Sequence, residues 1–286
     1  MVFTRHLTSC MENDVQPARR STHGSLAVRI PTMEPPSDAS PLRYGILGDI
    51  HSNPTALEAV LASMASDGVE RFVSVGDLVG YGADPNGVVD RVRGLDPIVV
   101  AGNHDHAAAG RFEPDDFNPF AKAALFWTRE ALGESQRAFL ESLPLTAVDD
   151  RVTVAHGTVD HPEAFQYIDS PHDAIPSLEA MKTPVAFVGH SHVPVAFLVR
   201  RGQSEGIWCD LRPTEIDLRD VDRALVNVGS VGQPRDRDPR AAYGLYDSEA
   251  KRVWIRRVPY DVEQEAQRIL RAGLPRFLAD RLRVGQ

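Results

Sequence analysis

Cysteine is nearly absent from this sequence: Cys10 and Cys209 are the only two in 286 residues. A disulfide framework is therefore excluded. Cys10 falls in a stretch that reads as a tail, so a structural bridge to Cys209 is not expected, and a reducing, cytoplasmic setting is. No run approaches the roughly 18 apolar residues of a membrane helix, and the N-terminal region lacks the long apolar core of a secretory signal. Positive charge is not in excess either. The 31 Lys and Arg against 40 Asp and Glu leave a formal net charge of −9, which argues against bulk electrostatic binding to nucleic acid or to anionic membranes. It does not exclude a phosphate-bearing ligand, because bound cations can reverse the field inside a cleft.

What is present is globular. Hydrophobic residues make up 42% and charged residues 25% of the chain, with a mean hydropathy of −0.26. Residues 1–40 show no sustained period and end in Met33-Glu-Pro-Pro-Ser-Asp-Ala-Ser-Pro41. They are expected to be a disordered tail, with Met33 an alternative start. Residues 41–286, without internal repeat or interior linker, are expected to form a single domain.

Within it the pattern alternates. Arg43–Gly48 is a short apolar run suited to a buried strand. Asn53-Pro54 then reads as an N-cap with proline at the first helical position, and Leu57, Val60, Leu61 and Met64 recur on one helical face. Strands are expected over Arg71–Val75 and Pro97–Ala101. Two helices follow between about 117 and 143, with Phe120, Leu125, Phe126, Phe139 and Leu140 as buried candidates. Later strands fall at Val152–Ala155, Val185–Val188, Val195–Val199, Ala224–Val228, Ala242–Tyr246 and Val253–Val258, and a helical stretch at about 260–283. Strand, loop and helix in repetition indicate an α/β layered fold.

The polar residues that carry chemistry sit at strand ends. Asp49-Ile-His51 follows the first strand, Gly76-Asp77 the second, and Gly102-Asn103-His104-Asp105 the third; His156-Gly157 and Gly189-His190-Ser191-His192 end two later ones. In open α/β sheets sites form beyond the carboxyl ends of strands, so these motifs can converge on one cleft. Singly each is weak: Asp-x-His is commonly a surface pair, and Gly-Asp after a strand is commonly a turn. Together, Asp49, His51, Asp77, Asn103, His156, His190 and His192 form a mixed nitrogen and oxygen set. Such a set suits Mn, Fe, Zn or Ni better than Ca²⁺ or Mg²⁺. Seven side chains exceed one tetrahedral ion and suit two ions sharing a carboxylate.

The series Asp49-x-His51, Gly76-Asp77, Gly102-Asn-His-Asp105, His156 and Gly189-His-x-His192 resembles the calcineurin-like metallophosphoesterase superfamily, and within it the small bacterial predicted phosphodiesterases. Supporting phrases are Asp49-Ile-His-Ser-Asn53, Gly76-Asp-Leu-Val-Gly-Tyr-Gly82 and Asn227-Val-Gly-Ser-Val-Gly-Gln-Pro-Arg-Asp236, and the likeness runs from about Arg43 to Tyr260. The resemblance implies a four-layer αββα sandwich with two mixed β-sheets. It implies two divalent or mixed-valence transition-metal ions, with Mn, Fe, Zn and Ni not distinguished. Asp49, His51, Asp77 and His192 would hold one, and Asp77, Asn103, His156 and His190 the other. A bridging hydroxide would then attack phosphorus in line. His104 matches the family's phosphate-contacting histidine that protonates the departing oxygen, with Asp105 placed to orient it.

The implied substrate is a small phosphorylated molecule, monoester or diester, with nucleotide-like compounds among the options. A non-catalytic interaction scaffold on the same fold is the alternative, marked by ligand loss; an amidohydrolase would instead open with His-x-His. Tyr81, Phe165 and Tyr167 could overhang the cleft, although packing is the commoner use of such rings. Arg235 could meet a phosphate oxygen or pair with Asp236 or Asp238. His6 and His23 lie in the tail; His106, His161 and His172 are expected in solvent-facing loops. Oligomeric state has no signal in the sequence.

Overall fold

The computed structural model describes residues 42–202 and 206–286. The expected tail at 1–40, with His6, Cys10, His23 and Met33, lies outside the described residues. Order begins with strand β1 (Arg43–Leu47), helix α1 (Pro54–Ser66), strand β2 (Arg71–Ser74), helix α2 (Pro85–Arg93) and strand β3 (Ile98–Val99). Helices α3 (Asn103–Ala109), α4 (Pro119–Ala131) and α5 (Glu134–Ser142) follow. Then come strands β4 (Thr146–Val148) and β5 (Val152–Ala155), helix α6 (Pro171–Ala180), and strands β6 (Val185–Val188), β7 (Val195–Arg200), β8 (Trp208–Leu211) and β9 (Glu215–Asp217). Strands β10 (Val221–Asn227), β11 (Ala241–Asp247) and β12 (Arg252–Val258) precede helices α7 (Val262–Arg271) and α8 (Arg276–Leu282).

Two six-stranded sheets result, in the orders β3-β2-β1-β11-β12-β9 and β4-β5-β6-β10-β7-β8. Both are mixed. β1, β2 and β3 run parallel while β11 opposes β1, and β5, β6 and β10 run parallel while β7 opposes β10. The layering follows from the period-2 alternation of apolar side chains. Tyr44, Ile46 and Val73 of the first sheet meet Val185, Phe187, Ala224 and Val226 of the second in one buried cluster. The intervening Leu47 faces the other way, packing with Leu57, Val60 and Met64 of α1 and with α2, α3 and α5. Ala186, Val188 and Leu225 likewise turn toward α6. Helices, sheet, sheet and helix give the four αββα layers.

Several local expectations need correction. Phe120 and Phe126 are 41% and 50% exposed, not buried. Phe120 stacks on Phe277 of α8 with centroids 4.5 Å apart, and Phe126 lies under the Arg129 guanidinium. Both rings are thus used on the surface of α4, while Leu125 and Leu140 are buried. β3 is confined to Ile98–Val99, and the last helical stretch is two helices divided at Gly273, which has φ +73°. Helix α2 escapes a reading of sequence because Asp84-Pro-Asn-Gly resembles a turn. Here Asp84 instead caps the helix, accepting from Gly87 N. His106 sits on α3 and is half-buried rather than in a solvent-facing loop; His172 is exposed but lies in the first turn of α6, and His161 is exposed. Among the described residues no helix is long and apolar enough to cross a membrane.

The inter-sheet core and the α4 surface should respond differently to truncation. Phe187→Ala, at 0% exposure, is expected to cost about 3–5 kcal/mol. Phe126→Ala is expected to stay within about 0.5 kcal/mol. Urea unfolding of both variants checks the contrast.

Candidate metal centre

The carboxyl ends of β1, β2, β3, β5 and β6 open at one end of the sandwich, and the loops leaving them continue to pair. Asp49 N donates to Gly76 O at 3.2 Å, His51 N to Asp77 O at 3.0 Å, and Gly189 N to His156 O at 2.9 Å. Backbone pairing therefore fixes where these side chains project. The exits are sharp: Asp49, His51, Asp77, His190 and His192 all have positive φ, from 49° to 71°. Non-glycine residues held there cost on the order of 1–3 kcal/mol each, and such strain concentrates at functional sites. A further loop, 227–236, braces the cluster. Ser230 Oγ donates to Asp49 O at 2.8 Å, Gly232 N to Asp49 O at 3.0 Å, and Asn227 Nδ2 to Gly189 O and Ser191 Oγ.

The structure brings all seven candidate donors together. Ligand atoms of Asp49, His51, Asp77 and His192 lie within 4.8 Å of one another, as do those of Asp77, His156 and His190. Asn103 Oδ1 stands 3.2 Å from His156 Nε2, beside the second group. Asp77 belongs to both: its Oδ2 is 3.5 Å from His51 Nε2 and 3.3 Å from His156 Nε2. Gly102 makes room for this carboxylate, since a Cβ at that position would overlap Asp77 Oδ1.

The donor chemistry fits a cation. His51 Nδ1 donates to Val79 O at 2.9 Å and His192 Nδ1 to Gln233 O at 2.7 Å. A carbonyl can only accept, so each Nδ1 carries the ring proton. Burial lowers the pKa of both rings well below the usual histidine value, which keeps them neutral. Their Nε2 lone pairs then face each other at 3.1 Å with no proton between them. Asp49 Oδ2 is buried without a partner as well. Second-sphere carbonyls that fix the tautomer and aim the other nitrogen inward are the usual support of metal-binding histidines.

Burial raises Asp49 to about 7, aided by the like charge of Asp77. At Asp77 burial is outweighed by the surrounding imidazoles, and its pKa falls well below the carboxylate norm. Burial opposes charge on His156 too, but the Asp77 and Asp49 carboxylates push it up to about 9. Burial and the adjacent His156 lower the pKa of His190.

The two remaining candidates take separate places. His104 lines the cleft, packed among Tyr81, Phe117 and His51 with centroids 4.5, 4.8 and 5.0 Å away, and burial holds it down at about 4. Gly80, at φ +91°, is required because a Cβ there would overlap the ring. Asp105 does not reach the ring as the sequence suggested. Its Oδ1 accepts from Leu78 N and Val79 N at 2.9 and 3.2 Å, and its Oδ2 from Gly102 N at 3.0 Å. It ties the Asp77 loop to the start of α3, and His104 Nδ1 has no hydrogen-bond partner.

A cleft of about 450 Å³ lies over the cluster. Tyr81, Phe165 and Tyr167 all line it, with Phe112 and Phe117. Tyr167 stacks on His190 at 3.9 Å. Arg235 lines the cleft too; Asp236 is bonded to Arg257 and Asp238 to Arg240, so neither local partner holds it.

A family model described as the calcineurin-like phosphoesterase superfamily domain matches residues 42–251. An uncharacterised protein of Methanocaldococcus jannaschii is 35% identical over 247 residues, covering 84% of this chain and 97% of that one. The crystal structure of a metallophosphoesterase from Sphaerobacter thermophilus superposes with a TM-score of 0.76 at 38% identity, over 86% of this chain and 100% of that one. A hypothetical protein from Pyrococcus horikoshii shares the fold, with a TM-score of 0.66 at 22% identity over 85% of this chain and 98% of that one. The superfamily that the motifs resemble is the one matched, while its bacterial type is not confirmed, the 35%-identical relative being archaeal.

Metal uptake should compete with protons. Without metal, His156 holds its proton up to about pH 9 and Asp49 up to about 7. Loading is therefore expected to displace two side-chain protons below pH 7, one between 7 and 9, and none above, in addition to any lost by metal-bound water, with affinity rising accordingly. Calorimetric titration with Mn²⁺ in buffers of different ionisation heat counts them.

Proposed function

The chain belongs to the calcineurin-like phosphoesterase superfamily, and from that premise we propose that it is a two-metal phosphoesterase acting on small phosphodiesters or phosphomonoesters. The observation that carries this reading is Asp77, common to two groups of buried donors, in the first of which the His51 and His192 Nε2 lone pairs face each other and Asp49 Oδ2 has no hydrogen-bond partner. In this reading Asp49, His51, Asp77 and His192 hold one ion, and Asp77, Asn103, His156 and His190 the second. A pair of divalent ions there supplies Lewis acidity toward phosphoryl oxygens and activates water near neutral pH.

The chain's own residues do the positioning. Asp77, shared by the two groups, would offset the repulsion between two bound cations through one oxygen, and its other oxygen accepts from His104 N at 2.9 Å. The start of α3 is thereby tied to the bridge, which sets His104 beside the cleft. With its pKa held near 4, His104 is neutral at pH 7 and donates an N–H hydrogen bond to a phosphoryl or departing oxygen. Asp105 supports this indirectly, by fixing loop 77–79 against α3. The aromatic lining offers flat surfaces for a ring-bearing alcohol portion, while Glu113, Asp116 and Glu163 at the cleft repel extended polyanions. A small phosphorylated substrate is favoured over a nucleic-acid strand. The alternative, a binding scaffold that has abandoned chemistry, is disfavoured because no donor position has been lost.

Stripping the protein with chelator should abolish hydrolysis of bis(nitrophenyl) phosphate and nitrophenyl phosphate, and reloading with single transition metals should restore it. Failure with Mn, Fe, Zn and Ni alike would shift the reading to the scaffold. His104→Ala should retain both metals by elemental analysis while losing turnover by about a hundredfold or more; an unchanged rate removes His104 from the mechanism.

A further inference from the structure

The cleft contains one cation for which the two-metal reading has no use. Most arginines at the surface of this acidic protein are matched with carboxylates, but among the described residues no ion pair reaches Arg235. Its acidic neighbours are taken: Asp236 pairs with Arg257, and Asp238 with Arg240 at 2.6 Å. Arg235 instead bonds a neutral acceptor, Gln233 Oε1, through Nη2 at 3.0 Å and Nε at 3.4 Å.

Its position is heavily determined. Arg235 N donates to His192 O at 3.3 Å. Gln233 is 2% exposed, and its backbone oxygen receives the His192 Nδ1 proton while its side chain holds the guanidinium. The guanidinium carbon lies 5.6 Å from the centre of the Tyr81 ring, which itself packs 4.6 Å from His51 and 4.5 Å from His104. A second guanidinium, Arg281 of α8, stands 6.0 Å from the same ring, with Nε donating to the Gln286 oxygen. Burial, together with the like charge of Arg235, pushes Arg281 down to about 10. Helix α8 lies beyond the family-matched stretch, 42–251.

An unneutralised guanidinium lining the same cleft as His104, His190 and His192, anchored to His192 by its backbone and through Gln233, is arranged to receive an anion. Its fork suits two oxygens of a phosphoryl group. We propose that Arg235 binds the non-bridging oxygens of the substrate's phosphoryl group, and that Arg281 acts as a positioning residue through Tyr81, the ring both guanidinium groups face. The proposal rests on the phosphoesterase reading for what the anion is, and on the cleft geometry alone for where it binds.

Arg235→Gln, Arg235→Lys and Arg281→Gln test it. The readouts are metal content, calorimetric binding of inorganic phosphate with and without Mn²⁺, and kinetics with bis(nitrophenyl) phosphate. Arg235→Gln should keep its metals, weaken phosphate about ten- to a hundredfold and raise KM by a similar factor. Arg235→Lys, which retains charge but not the fork, should fall between. Arg281→Gln should raise KM with kcat within about twofold, a split that loss of folding would not give. Unchanged phosphate affinity and KM in Arg235→Gln overturn the proposal even if the wild type is an active phosphoesterase. If the wild type hydrolyses nothing yet binds phosphate in an Arg235-dependent way, the anion site stands and the hydrolytic reading falls.

Discussion

The centre of this protein is an electrostatic problem that the fold creates and the chain alone leaves unsolved. His51 and His192 are each held by a carbonyl on one nitrogen, so the other nitrogens meet lone pair to lone pair at 3.1 Å. Burial keeps both rings neutral, and beside them Asp49 carries a buried oxygen with no donor. Unsatisfied buried acceptors of this kind cost roughly 1–3 kcal/mol each. A divalent cation turns the same set into coordination, which is why the arrangement reads as preparation for metal rather than as a packing fault.

The two sheets make this density of polar groups tolerable. Their shared core of Tyr44, Ile46, Phe187, Val226 and neighbours carries no chemistry. It holds the ends of five strands at one edge, where strained loops supply the donors. Backbone pairing continues past the regular strands, so side chains far apart in sequence are aimed by hydrogen bonds rather than by flexible tethers. Asp105, with both carboxylate oxygens on backbone amides, serves this framework and not the His104 ring.

The gathering of donors was legible in the sequence because it is written locally. Each motif is a short apolar strand followed by glycine and a polar residue, as in Val75-Gly76-Asp77 or Val188-Gly189-His190. The four layers were implied by the family resemblance alone, because Arg43–Gly48 is a continuous apolar run and only the structure shows Ile46 and Leu47 facing different cores. What depends on distant partners was not legible. Arg235 appeared to have partners in Asp236 and Asp238, yet Arg257, 21 residues beyond Asp236, claims that carboxylate. Phe120 and Phe126 share an amphipathic stretch with Leu125, and nothing local says that α8 would meet one ring at the surface. Asp105 could not be separated from His104 by adjacency alone, because its amide partners at 78 and 79 come from another loop.

The bracing loop at 227–236 has a consequence for how such a protein can diversify. Within ten residues it touches the Asp49 backbone, the Gly189 and Ser191 turn and His192, and it carries Arg235. An insertion there would disturb both donor groups at once. Another part of the lining, drawn from residues 112–118 and 163–167, hangs on separate loops and meets the site histidines through ring contacts. Innovation in what this scaffold accepts is therefore channelled to one bank of the cleft, while the other is locked by its own wiring.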